Sequence, residues 1–214
     1  MKVLVDIGNT RLKYCQVVDY FTMQASSDIK AIHVSSLNVG WLDQHWKQAK
    51  KIIIGSVNQP ALLAKIITWA EQNNIVTDIV TSEQQAYGVI SGYLTPERLG
   101  VDRWLAMLAC REQYSGSFAV LDFGTAMTCD VVNSQGQHLG GWIAPGVNTM
   151  QIALLKETQQ LIVNQDNVTN LSLGLTTETC INMGILASLQ GFLLSADAYS
   201  KFEEDGIFNR ETGK

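Results

Sequence analysis

The chain has 214 residues, 46% hydrophobic and 16% charged, a balance that excludes a disordered segment and suits one large domain or two small fused ones. Acidic residues outnumber basic ones by 20 to 15, leaving a net charge of −5, which argues against a nucleic-acid-binding surface.

In chain order, residues 2–18 read as a β-hairpin. An apolar run (Val3-Leu4-Val5) leads into Asp6-Ile7-Gly8-Asn9-Thr10-Arg11-Leu12-Lys13, and apolar character resumes from Tyr14 to Val18. Residues 20–25 offer a third strand and 30–35 a weaker one. Residues 41–50 have helical spacing and end in lysines, which suit the negative end of the helix dipole. The β-branched run 51–57 reads as a short buried parallel strand. Pro60 opens a helix reaching residue 73, with Leu62, Leu63, Ile66, Ile67 and Ala70 on one face. A strand over 75–81 follows. This β-α-β-α-β rhythm predicts a mixed sheet covered by helices.

Between residues 81 and 100 the pattern is broken by Gly88, Gly92 and Pro96; the stretch reads as the connection between two halves and as a substrate-facing loop. Helical spacing returns over 102–113, and 117–122 lead into a second hairpin. Its sequence, Leu121-Asp122-Phe123-Gly124-Thr125-Ala126-Met127-Thr128-Cys129-Asp130, repeats the frame of the first. A strand over 137–143 runs into Gly140-Gly141-Trp142-Ile143-Ala144-Pro145-Gly146, where the glycines are either turn punctuation or backbone brought close to a ligand. Helices are expected over 147–160 and 177–201, the second apolar on most faces, with a loop over 159–172.

The scattered Cys15, Cys110, Cys129 and Cys180 form no C-x-x-C, and His33, His45 and His138 follow no ligand spacing. Free buried thiols in a reducing compartment are expected. Asp6 ends the opening apolar run too early for a signal peptide, and the apolar stretch 184–196 is too short to span a bilayer. A cytoplasmic protein is expected, with no membrane and no nucleic-acid partner.

The chemistry concentrates in the repeated hairpins. A turn led by Gly8 or Gly124 lets backbone N–H groups approach a phosphate, and the threonines and Lys13 add donors. Carboxylates do not bind phosphate directly, so Asp6 and Asp122 would hold cations beside it. Two such hairpins suggest two halves closing on one polyphosphate. Asp102, in Leu99-Gly100-Val101-Asp102-Arg103, reads either as a first-turn helix cap or as a base accepting a hydroxyl proton, beside the donor fork of Arg103. On spacing alone Arg11, Asp19 and Asp130 look solvated or structural. No Gly-x-x-x-x-Gly-Lys-Ser/Thr loop occurs.

Asp-x-Gly-Asn-Thr, Gly-x-Asp-Arg, Asp-x-Gly-Thr-Ala-x-Thr and Gly-Gly-x-Ile-x-Pro-Gly stand here at residues 6–10, 100–103, 122–128 and 140–146. As an ordered set they resemble the type III pantothenate kinases, of the actin, sugar kinase and heat-shock ATPase superfamily. The resemblance implies an α/β fold of duplicated ribonuclease H-like (actin-like ATPase) domains, mixed sheets flanked by helices. The halves would be 1–100, with the first phosphate hairpin, and 101–214, with the second hairpin and a dimer helix. It implies transfer of the ATP γ-phosphoryl group to pantothenate, giving 4'-phosphopantothenate, the first step of coenzyme A biosynthesis. The segment Asp6, Ile7, Gly8, Asn9, Thr10, Arg11, Leu12 and Lys13 would contact ATP phosphates, with Asp6 near Mg²⁺. Asp122 would be a ligand of an activating monovalent cation (K⁺ or NH₄⁺), and Thr125 a phosphate contact. Asp102 would accept the proton, and Tyr93, Gly100, Val101, Asp102, Arg103 and Thr177 would bind pantothenate at a homodimer interface.

The resemblance also implies a Gly-Gly-containing strand and a final helix after the long helix. Here the chain runs Phe202-Glu203-Glu204-Asp205-Gly206-Ile207-Phe208-Asn209-Arg210 and ends at Lys214, so the expectation is a truncated or diverged C-terminus. Two other readings remain. One is a non-catalytic nucleotide-binding regulator of the Bvg accessory factor type, disfavoured by retention of Asp6, Asp102 and Asp122 together. The other is a ribonuclease H-like nuclease, whose Asp-x-Gly-x-x-Arg opening fits Asp6 to Arg11 but whose substrate does not fit the acidic balance.

Overall fold

Val3, Val5 and Ile7 alternate with half-buried neighbours along the first strand, the period-2 signature of a sheet with one face in the core. In the computed structural model, which describes residues 1–17, 29–57, 59–157 and 170–204, β1 (Lys2–Ile7) and β2 (Arg11–Val17) form the expected antiparallel hairpin. β3 (Lys30–His33) pairs with β2, and His33 caps a 3₁₀ turn over Val34–Ser36, so the expected strand is shorter. Helix α1 (Val39–Trp46) is capped by the Asn38 side chain on the Trp41 N–H. β4 (Lys51–Ser56), α2 (Pro60–Gln72) and β5 (Val76–Val80) complete the β-α-β rhythm. The sheet order is β3-β2-β1-β4-β5, with β1, β4 and β5 parallel. The strand expected over 20–25 lies outside the described residues.

One face of this mixed sheet forms a core of Ile7, Leu12, Ile52 and Ile54 against Leu42 and Trp46 of α1 and Ile66, Trp69 and Ala70 of α2. Each such fully buried aliphatic contributes about 1.5–3 kcal/mol of transfer free energy. On α2 the fully buried stripe is Ile66, Trp69 and Ala70; Ile67 is only half-buried. The i, i+3, i+4 row that faces the sheet passes through Trp69, whose indole also donates to Asp43 Oδ1 at 3.0 Å.

The chain divides into two compact units: Met1–Glu83 with Thr95–Leu105, and Gln84–Leu94 with Ala106–Lys214. The break between them falls inside α3 (Val101–Gln113). Residues 95–105 return to the first unit, where Ser82 Oγ donates to the Leu99 carbonyl at 2.8 Å.

The second unit is built on β8 (Phe118–Phe123), β9 (Ala126–Val132) and β10 (His138–Pro145), antiparallel in the order β10-β9-β8. β10 runs through Gly140 and Gly141, as in the expected strand over 137–143, and continues to Pro145. A bulge between His138 and Gly140 absorbs the positive φ of Gly140 (126°), so the glycines bend a strand rather than end it. Helix α4 (Val147–Glu157) follows, then α5 (Thr177–Glu204). Cys129 and Val131 on β9 pack with Ala196 of α5, bordered by Trp142 and Phe192. The expected loop over 159–172 falls largely outside the described residues.

Residues 84–94, read from sequence as a plain connection, contain two short strands, β6 (Gln85–Ala86) and β7 (Val89–Ile90). They lie along the β9–β10 turn through an Ile90–Gln137 bridge and an Ile90 N–H bond to the Gly136 carbonyl at 2.9 Å. A Cβ at Gly136 would overlap the Gly88 carbonyl oxygen, so the two backbones meet where only glycine fits. Arg111 donates to the carbonyls of Ser115, Gly116 and Ser134 at 2.9, 3.2 and 2.7 Å and holds the same end of the unit.

None of the four cysteines is in a disulfide; Cys129 is buried, Cys15 and Cys110 are half-buried and Cys180 is exposed, so the expected burial holds for only one of them. The α5 segment Thr177–Tyr199 is 23 residues long and contains an 18-residue stretch of mean hydropathy 1.4, of which 11% is buried. By length and composition it could therefore cross a membrane, in contrast to the shorter apolar run read from sequence.

Candidate active site

In the first unit, Asp6 on β1 stands directly opposite Lys13 on β2, so both side chains leave the sheet on the face away from the aliphatic core. On its other side Asp6 neighbours Gly55 of β4. A Cβ at Gly55 would meet Leu105 Cδ1 at 3.5 Å and Val101 Cγ1 at 3.8 Å. The first turns of α3 therefore lie over the strand next to Asp6, on Asp6's own face. Four residues singled out for chemistry, Asp6, Lys13, Val101 and Asp102, thus come from one face of one unit.

The turn Gly8-Asn9-Thr10 is held at its tip from both flanks. Gly8 N–H donates to the Arg11 carbonyl at 3.0 Å, Val34 N–H to the Thr10 carbonyl at 3.1 Å, and Gln59 Nε2 to the Asn9 carbonyl at 3.1 Å. Asn9, Thr10, Arg11 and Lys13 are exposed, whereas Ile7 and Leu12 are core residues with no side-chain exposure. Any ligand contact from those two is therefore through backbone alone.

At the start of α3, the Gly100 carbonyl accepts the first helical bond from Trp104 N–H at 3.0 Å, which makes Gly100 the N-cap and Val101 the first helical residue. The Asp102 carboxylate accepts from the Arg103 N–H at 2.8 Å and remains exposed. This satisfies a first-turn amide, as the capping reading requires, on a side chain that stays exposed. Arg103 is buried at 8% exposure.

In the second unit, Asp122, Gly124 and Thr125 are exposed at the β8–β9 turn, with Asp122 Oδ2 3.8 Å from where a Gly124 Cβ would sit. Gly124 N–H closes the turn onto the Ala126 carbonyl at 2.9 Å. The Thr125 carbonyl accepts from Gly146 N–H at 2.9 Å and from Thr149 Oγ1 at 2.6 Å. A Cβ at Gly146 would overlap the Gly124 carbonyl oxygen. The backbone at Pro145-Gly146 is thus packed closely against the β8–β9 turn. Gly146 and Thr149 were not singled out from sequence as supports of this turn; the recurrence of glycine before a helix was the available signal.

Tyr93 is half-buried in the second unit and stacks on His138, with ring centroids 6.0 Å apart. Thr177 is exposed at the first position of α5. Thr176 is the N-cap, its hydroxyl accepting from Thr179 N–H at 3.3 Å and its carbonyl from Cys180 N–H at 2.8 Å. The bond from Glu178's own backbone amide, and then the Thr176 hydroxyl, hold the Glu178 carboxyl below the usual range. Asp130, read as solvated or structural, is fully buried against His138, and Arg11 is exposed. Asp19 lies outside the described residues. No group of three or more His, Cys, Asp or Glu able to hold a metal occurs among the described residues.

The family model for type III pantothenate kinase matches residues 2–196. The chain belongs to the type III pantothenate kinase family. Members named type III pantothenate kinase include that of Colwellia psychrerythraea, 32% identical over 98% of this chain and 82% of its own. That of Pseudoalteromonas atlantica is 33% identical over 91% of this chain and 78% of its own. A crystal structure described as a Baf family transcriptional activator from Campylobacter jejuni superposes with a TM-score of 0.57 over 91% of this chain and 78% of its own. At 22% identity it shows a shared fold alone. Family membership favours the kinase over the regulator reading.

Proposed function

We propose that the chain phosphorylates pantothenate with ATP, and that its two Asp-x-Gly hairpins and the start of α3 carry the reaction. The observation that carries this reading is the first unit's geometry, where Asp6, Lys13 and the Asp102 turn share one face of the sheet, in a chain matched to the kinase family over residues 2–196. The pantothenate hydroxyl oxygen forms a bond to the γ-phosphorus, the bond from that phosphorus to the β–γ bridging oxygen breaks, and ADP leaves. The hydroxyl proton passes to the Asp102 carboxylate, an exposed group with one oxygen held by the Arg103 N–H. Phosphoryl transfer asks mainly for positioning and charge neutralisation. The exposed Asn9 and Thr10 backbone and the Lys13 ammonium serve the phosphates from the first turn, and Thr125 from the second.

Asp6 fits a role at Mg²⁺. It is a hard oxygen donor on the sheet face that also carries Lys13 and the start of α3, and Mg²⁺ takes one or two carboxylates together with phosphate oxygens and water. The bound ion supplies neutralisation of phosphate charge. Asp122, exposed next to Gly124, fits a monovalent cation (K⁺ or NH₄⁺) by the same donor chemistry. Tyr93, Gly100, Val101, Arg103 and Thr177 are assigned to pantothenate. The halves 1–100 and 101–214 are taken as duplicated ribonuclease H-like domains, supported by the repeated Asp-led hairpin. A second copy of the chain covers α5, whose Leu193, Leu194 and Tyr199 are exposed together with Ile152 and Leu154 of α4. Action in the cytoplasm accords with four cysteines that form no disulfide.

The test is pantothenate-dependent ADP release with Mg²⁺, with and without K⁺. Release that needs both pantothenate and Mg²⁺ and rises with K⁺ supports the reading; ATP binding without turnover supports the regulator instead.

A further inference from the structure

Asp130 and His138 are 1% and 0% exposed, the most deeply buried polar side chains among the described residues. His138 Nε2 lies 2.9 Å from Asp130 Oδ1, and the Gly92 N–H points at His138 Nδ1 at 3.4 Å. A backbone amide can only donate, so Nδ1 is the bare nitrogen and Nε2 carries the hydrogen that goes to the carboxylate. The tautomer is therefore set by the two partners. The ring in that orientation lies nearly parallel to the Tyr93 ring, at 14° and 6.0 Å between centroids, within the range of offset stacking.

The segment that carries Tyr93 is built onto the same residue. A Cβ at Gly92 would overlap the His138 carbonyl oxygen. Ser91, itself buried, receives the Tyr93 N–H on its hydroxyl at 3.3 Å and donates its own N–H to Gln84 at 2.8 Å. Gln137 Nε2 donates to the Ile90 carbonyl at 3.3 Å. Hydrogen bonds to its backbone thus fix the chain as far as the Tyr93 N–H, and His138 supplies both the acceptor for Gly92 and the surface under the Tyr93 ring.

We propose that Asp130 and His138 are positioning residues for Tyr93: the carboxylate fixes the rotation and tautomer of the imidazole, and the imidazole sets where the tyrosine ring stands. The pair thereby governs affinity for the acceptor substrate without touching it. This rests on the assignment of Tyr93 to pantothenate. A pair that merely stabilised the fold would lower the melting temperature while leaving both Michaelis constants alone or raising them together.

The experiment measures KM for pantothenate and for ATP, kcat and melting temperature in the full chain. Tyr93→Ala calibrates the assignment and raises the pantothenate KM about 30-fold, while the double variant Asp130→Leu/His138→Phe, which strands no buried carboxylate, raises it about tenfold with the ATP KM within about twofold. His138→Gln keeps one donor and one acceptor and returns the pantothenate KM to within about threefold of wild type. If Tyr93→Ala behaves as stated but the double variant keeps a wild-type pantothenate KM, or raises both KM values in parallel, the positioning role is overturned and the kinase reading stands. If Tyr93→Ala leaves the pantothenate KM unchanged, the assignment of Tyr93 falls and this inference with it. Should the double variant fail to fold, the single Asp130→Leu, which removes the acceptor for His138 Nε2–H and leaves no buried carboxylate, is read by the same criteria.

Discussion

The two Asp-x-Gly hairpins share a sequence frame but are supported in different ways. In the first, β1 is an interior strand, bonded on one side to β2 and on the other to the parallel β4, and its last residue, Ile7, is fully buried. In the second, β8 is an edge strand of the three-stranded sheet, and its end is exposed, with Leu121 at 37% and Phe123 at 49%. The first turn is clasped by neighbouring loops through Gln59 and Val34. The second is clasped by the start of α4 through Gly146 and Thr149. A repeated motif therefore fixes the chemistry of a turn and says little about what holds the turn still. An interior strand gets rigidity from its sheet, whereas an edge strand needs an outside buttress.

Substitutions at equivalent places should expose that difference. The largest effect is expected from the carboxylates: Asp6→Asn lowers kcat by about 10²–10³, as loss of an electrostatic stabiliser of transferring charge does, and weakens Mg²⁺ activation in a metal titration. Asp122→Asn instead flattens the K⁺ response of the rate. Equal effects of both variants on both ions would erase the distinction between the hairpins. Next comes Gly146→Ala, where the new methyl would strike the Gly124 carbonyl. Displacing that backbone costs about 3 kcal/mol in urea unfolding and raises the ATP KM. Gly8→Ala, whose Cβ would lie 3.3 Å from the Arg11 carbonyl, asks for a much smaller adjustment and costs about 1 kcal/mol. Thr149→Val removes one bond to the Thr125 carbonyl and costs about 1 kcal/mol, felt in ATP affinity more than in pantothenate affinity.

The smallest expected effect is at a residue that belongs to neither turn. The Glu178 carboxyl is held below its usual range, so its contribution is present above the unfolded carboxylate pKa and is lost as pH falls through the folded value. Glu178→Gln should remove that acid-side dependence from the unfolding curve and leave ATP and K⁺ responses unchanged.

Much of this was legible in the sequence because it is local. Alternation in Val3, Val5 and Ile7, the Ile-rich run at 52–54 and Pro60 at the head of α2 announce their elements through neighbours a few residues away. The clasp of 84–94 onto the β9–β10 turn is not local: it depends on Gly88, Gly92 and Gly136 meeting backbones more than 40 residues distant in the chain. For Asp130, read as solvated or structural, the structural reading is the one that holds, and the choice between the two was not local either. On a strand with one wet face, Thr128, Asp130 and Val132 would be the solvent side, but β9 is buried on both faces from Cys129 to Val132, and the carboxylate meets an imidazole from the next strand. The bulge at His138 hid the rest, since it shifts the side-chain alternation by one residue.

The most direct measurement is phosphorus NMR of ATP, Mg²⁺, K⁺ and pantothenate with wild type and with Asp102→Asn, alongside ATP affinity by calorimetry. A phosphomonoester on pantothenate that grows with wild type, and about 10²–10⁴ more slowly with a mutant that still binds ATP, is the predicted result. A mutant as fast as wild type would reduce Asp102 to a helix cap and contradict the account.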